Sequence, residues 1–89
     1  MNSTHTEAAL EQDFERQEEE VELRHLSQEL RLAIEAALVG GLTASAVALD
    51  TARNGLDAVL DDKAPRRSKV LVARARGRLA LEAWRNLHH

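Results

Sequence analysis

Residues 70–87 read VLVARARGRLALEAWRNL, and the spacing of their apolar positions decides the architecture. Val70, Ala73, Gly77, Ala80, Trp84 and Leu87 recur at steps of three, four, three, four and three. That spacing lines side chains along one face of an α-helix. The middle of the stripe is small. Glycine lowers helix stability by about 1 kcal/mol relative to alanine in a helix interior, so Gly77 on the apolar face predicts that another helix crosses close to its backbone. Val72, Ala75 and Leu79 make a second apolar strip beside the first. Pro65, the only proline in the chain, suits the first turn of a helix. This third helix is therefore expected to begin there, after the polar connector Asp61 to Ala64.

Toward the N-terminus, Ala46, Leu49, Ala52, Leu56 and Val59 share one face of a second helix, with Leu42 just ahead of it and Thr43 expected as its N-cap. Asp50, Asp57 and Asp61 occupy the opposite face, and Arg53 is spaced to pair with Asp50 or Asp57. Asn54-Gly55 is a potential turn, but the apolar face runs through it without interruption and favours a continuous helix.

A first helix reads from the capping box Thr4-His5-Thr6-Glu7 to the Gly40-Gly41 doublet, about 35 residues. Leu23, Leu26, Leu30, Ala33 and Ala37 form its seam, which Ile34 and Leu38 widen. Followed backward, the same positions are Glu19, Arg16 and Gln12, so the N-terminal half offers only Leu10, Phe14 and Val21. Such a helix is about 50 Å long at 1.5 Å per residue, whereas a compact chain of this size has a radius of gyration of about 12 Å. The acidic residues 1–20 must project, fold back or be covered by another chain.

The fold class expected is all-α: one domain over residues 1–89, with a long N-terminal helix and a C-terminal antiparallel helical hairpin, completed by dimerisation. An 89-residue chain buries only about 60% of the surface its unfolded form exposes. With no cysteine to supply disulfides or thiolate metal ligands, a second copy is the expected supplement. The longest apolar stretch, Ala33 to Ala48, is interrupted by Glu35, Gly40, Gly41, Thr43 and Ser45, short of the roughly 20 residues that span a bilayer. Met1 to Glu11 lacks the pattern of a signal peptide, and a cytoplasmic protein is expected.

The net charge of −3 hides a polarity along the chain. Residues 1–39 hold ten acids and three bases, whereas residues 64–89 hold one acid and seven bases. Arg67, Arg74, Arg78 and Arg85 fall on one face of the third helix and would suit phosphate contacts. The alternative is that they pair with the acidic first helix. Phe14 and Trp84 are the only aromatic residues, which argues against a surface that stacks bases on rings.

Glu22-x-x-His25 has the carboxylate–imidazole spacing of di-iron helix bundles, but such sites need two of these motifs and two further glutamates. This chain has one, with Glu29 a turn from His25, so no metal or cofactor is expected. His5, His88 and His89 receive no role, since terminal residues are usually solvated. Ser27, Ser45 and Ser68 lack the histidine and orienting acid of a nucleophilic site, and Gly40-Gly41 lacks the lysine of a phosphate loop. No enzyme is expected. The function expected is a homodimeric protein-interaction module that binds and regulates another protein, for example an inhibitor or antiactivator of a transcription factor. Leu23, Leu26, Leu30, Ile34, Ala37, Leu38, Val70, Ala73, Gly77 and Trp84 are the residues expected at its partner or dimer interface. The alternative is a nucleic-acid-binding protein that uses the four arginines of the third helix.

Overall fold

The computed structural model describes the backbone of residues 3–87 and the side chains of residues 16–87. It holds three α-helices, α1 (Ser3–Val39), α2 (Thr43–Asp61) and α3 (Arg67–Leu87), with no strand among the described residues. The all-α class and the helix count follow the periodicity, and α2 runs unbroken through Asn54-Gly55.

The doublet ends α1 as a Schellman turn. Gly41 takes a φ of 73°, the Leu42 N–H donates to the Ala37 carbonyl at 2.8 Å, and the Gly41 N–H donates to the Leu38 carbonyl at 3.1 Å. Leu42 then serves both helices, because its own carbonyl accepts from the Ala46 N–H at 3.0 Å. Thr43, expected as the cap, is instead the first residue of α2, and no side chain caps that helix. The turn is too short to leave Thr43 outside it. The capping box at Thr4 to Glu7 falls where side chains lie outside the described residues, as do the side chains of His5, His88 and His89.

The second connector corrects another boundary. The Ala64 N–H donates to Asp62 Oδ1 at 3.0 Å, an Asx-type turn that reverses the chain before the proline. Pro65 therefore stays in the connector, and α3 starts at Arg67 with the Val70 N–H donating to the Arg66 carbonyl at 3.1 Å.

The two reversals make an up-down-up bundle. Arg67, at the start of α3, pairs with Glu19, and Arg85, near its end, pairs with Glu29, so α1 and α3 run in the same direction. The expected seam of α1 is buried from Leu23 to Ala37, facing Ala46, Leu49, Ala52 and Leu56 of α2 and Val70, Ala73 and Leu81 of α3. Leu30, Leu49 and Leu56 are the largest side chains that are wholly enclosed. On α3 the buried face shifts along the helix. After Gly77 it continues to Leu81, while Ala80 and Trp84 are half-buried and Leu87 is exposed. A straight helix drifts about 20° per heptad against a strict seven-residue repeat, enough to exchange Ala80 for Leu81 by the second heptad.

Gly77 lies where two leucines meet. A Cβ added there would stand 2.8 Å from Leu26 Cδ2 and 2.9 Å from Leu56 Cδ1. The close approach inferred from the glycine is thus made by side chains of α1 and α2 rather than by a neighbouring backbone.

The molecule is elongated, with extents of 61 × 23 × 17 Å and a radius of gyration of 16.2 Å. The long dimension belongs to α1, whose 37 residues extend about 55 Å at 1.5 Å each. The α2–α3 connector, from Asp62 to Pro65, lies beside Arg16, Glu19 and Glu20. The part of α1 before Arg16 consequently continues past the end of the bundle.

Candidate interaction surface

The residues expected to meet a partner divide into two groups. Leu23, Leu26, Leu30, Ala37, Val70, Ala73 and Gly77 are buried against the chain's own helices, and Ile34 and Trp84 are half-buried against the same core. Only Leu38 is exposed, at 60%. The apolar seams that suggested an intermolecular contact are therefore closed by the fold of one chain, because its three helices meet along them.

The four arginines that suited phosphate are brought to a row of carboxylates. Arg67 pairs with Glu19, and Arg78 pairs with Glu22. Arg74 Nη1 lies 3.7 Å from Glu22 Oε2, and Arg85 Nη2 donates to Glu29 Oε2 at 3.0 Å. Because α1 and α3 run side by side in one direction, acidic positions on α1 and basic positions on α3 meet in sequence order. This ladder seals the rim of the core along the α1–α3 seam. Among solvent-exposed groups each such pair contributes little, typically about 0–1 kcal/mol. A phosphate backbone would have to displace these carboxylates to reach the arginines.

The same ladder governs the Glu22–His25 motif. Glu22 is engaged by two guanidinium groups, His25 is exposed, and among the described residues no three of His, Cys, Asp and Glu are grouped to hold a metal ion. Ser27, considered as a nucleophile, is buried and donates instead to Asp57 Oδ1 of α2 at 2.7 Å. Asp57 also faces Arg53, as the i,i+4 spacing implied, with Arg53 Nε at 3.6 Å. Ser27 and Asp57 thus join α1 to α2 inside the bundle. No described helix is long and apolar enough to cross a membrane.

What remains open is the side of the bundle turned away from α1. There α2 and α3 form a shallow groove whose floor is Ala52, Val59, Ala73 and Ala80, with Gly55 on the α2 side and Val72 and Leu79 on the α3 side. Val72 is 47% exposed and Leu79 64% exposed. Lys69 and Arg76 stand along the α3 edge, and among the described residues neither forms an ion pair. Lys69, Val72, Arg76 and Leu79 repeat at steps of three, four and three, so base and apolar residue alternate along one ridge. The sequence showed Val72 and Leu79 as a second apolar strip. The alternation with Lys69 and Arg76 was visible in the same spacing and is what marks the strip as a surface rather than a core.

No protein-family model, curated protein or solved structure matches the chain.

Proposed function

We propose that the chain is a non-enzymatic protein-interaction module, homodimeric, that binds and regulates a partner protein through the α2–α3 face. A small inhibitor or antiactivator of a transcription factor is the kind of activity such a module performs. The observation that carries this reading is the contrast between the two sides of α3. Its four phosphate-suited arginines are paired within the chain, while Val72 and Leu79 stay exposed in alternation with Lys69 and Arg76, which form no ion pair among the described residues. Helix-in-groove recognition takes its affinity from apolar anchors seated between two helices and its orientation from charges at the edge. The groove supplies both.

The test sets this reading against nucleic-acid binding. Titration of generic duplex DNA over a salt series is expected to show no tight complex even at low salt. A low-salt affinity that falls steeply as salt rises, and that Arg74→Gln with Arg78→Gln abolishes, would favour nucleic acid instead. In parallel, tagged chain is expected to retain a protein from native extract that Val72→Glu releases. Retention that is indifferent to that substitution would sink the α2–α3 face as the binding surface.

A further inference from the structure

We infer that the α2–α3 groove is occupied by the N-terminal half of α1 from a second copy of the chain, reciprocally, in a two-fold dimer, so that a partner protein reaches that face only by displacing the segment; this rests on the reading of that face as the interaction surface. Three observations converge on it. The first is charge. Between residues 3 and 15 the chain carries Glu7, Glu11, Asp13 and Glu15 and neither lysine nor arginine, whereas the groove edge carries Lys69 and Arg76, offset only by Asp62 at the connector end. Leu10 and Phe14, four residues apart, fall on one face of any helix that holds them. The segment is thus acidic with two large apolar anchors, the complement of an apolar floor with a basic edge.

The second observation is length. Thirteen residues of helix ahead of Arg16 extend about 20 Å, and the groove, from Ala48 to Asp62 along α2, is about 21 Å long at the same rise per residue. The segment leaves its own bundle at the connector end, where Pro65 opens the groove. Two copies set antiparallel therefore slide each projecting segment along the other's groove, and the contact is the same on both sides, as two-fold symmetry requires.

The third is Gly55. Gly77 is explained by the two leucines that fill its space, but a Cβ at Gly55 would meet nothing within 4 Å. A glycine in a helix interior with open space beside it is unfavourable by about 1 kcal/mol relative to alanine. Among the described residues nothing accounts for it. Its place on the groove wall, beside Ala52 and Ala58, fits the close approach of a second helix.

The experiment is a charge-exchange complementation on the full chain, read by sedimentation equilibrium. Wild type is expected to give twice 9.9 kDa at micromolar concentration. Lys69→Glu with Arg76→Glu reverses the groove, and Glu7→Lys with Glu11→Lys, Asp13→Lys and Glu15→Lys reverses the projecting segment. Lys69 and Arg76 are exposed, and lysine and glutamate are comparable helix formers, so circular dichroism should show helical content unchanged in both variants. Each alone should associate at least roughly tenfold more weakly, because like charges then face each other. Mixed in equal amounts, they restore both contacts and should return the dimer. Gly55→Leu, which has room in the monomer, should weaken the dimer while leaving its helices at least as stable. A wild type that is monomeric at every accessible concentration overturns the inference. So does a dimer that neither reversal affects, or a pair of reversed chains that do not recombine. If the chain is monomeric yet retains an extract protein in a manner that Val72→Glu abolishes, the second copy is the wrong occupant and the interaction surface stands.

Discussion

The two long sides of α3 carry the same kinds of residue and meet different fates. On the side toward α1 and α2, Val70, Ala73, Gly77 and Leu81 are buried, and the arginines beside them are each met by a glutamate of α1. On the opposite side, Val72 and Leu79 are exposed, and among the described residues Lys69 and Arg76 beside them form no ion pair. The difference lies in the neighbour. A stripe becomes core when another element of the chain reaches it, and α1 has only one face to offer. Hydrophobicity and charge are therefore poor guides to which stripe the chain itself covers.

The largest effect expected is a direct contrast between the sides. Leu56 is wholly enclosed beneath Gly77, and replacing a buried leucine by alanine costs roughly 2–5 kcal/mol through lost transfer and the cavity left behind. Leu56→Ala should therefore unfold a large fraction of so small a protein. Leu79→Ala, on the open side, should change stability by less than about 0.5 kcal/mol. Urea titrations at low protein concentration, where association does not contribute, would measure both. Comparable losses at the two sites would remove the distinction between a closed and an open side.

The glycines provide a smaller contrast with opposite signs. Gly77→Leu forces a side chain into the space of Leu26 and Leu56 and should cost roughly 1–3 kcal/mol as overpacking. Gly55→Ala meets open space and should stabilise the monomer by up to about 1 kcal/mol through helix propensity. Thermal melts of the two variants at matched low concentration would show the signs. A Gly77→Leu variant as stable as wild type would mean that the two leucines can move aside and that the bundle is more loosely packed than described.

Much of this bundle was legible in the sequence because each helix has a single well-spaced apolar face. The steps Leu23 to Ala37 and Ala46 to Leu56 named core positions that are buried in the structure. The boundaries were less legible where two signals compete for one residue. Leu42 ends one helix and starts the next, which takes the cap from Thr43, and the Asx turn at Asp62 keeps Pro65 outside α3. The interface was least legible of all. Periodicity identifies a face that is covered and is silent on what covers it, so Leu26, Leu30 and Val70 were expected to await a partner although their own chain encloses them. The pairing of Arg67, Arg74, Arg78 and Arg85 with α1 was the foreseeable alternative. Helix direction decides it, since only a parallel α1 and α3 bring Glu19, Glu22 and Glu29 alongside in the right order.

The smallest effect sharpens the comparison at the ladder itself. Arg85 and Glu29 are both more than half exposed, whereas Glu22 is shared by two arginines, of which Arg74 is only 24% exposed. Exposed pairs are worth about 0.2–1 kcal/mol and are screened by salt. Arg85→Gln should therefore lower stability by a few tenths of a kcal/mol at low ionic strength, at the bottom of that range, and the loss should fade in high salt. Glu22→Gln removes the partner of two guanidinium groups, one of them partly shielded from water, and should cost more, toward about 1 kcal/mol, with a weaker dependence on salt. Urea titrations of the two variants at low and high sodium chloride would test the order. If Arg85→Gln proved the more costly, the ladder would owe its contribution to the open end of the α1–α3 seam, and the half-buried Arg74 would be packing against the core rather than pairing across it.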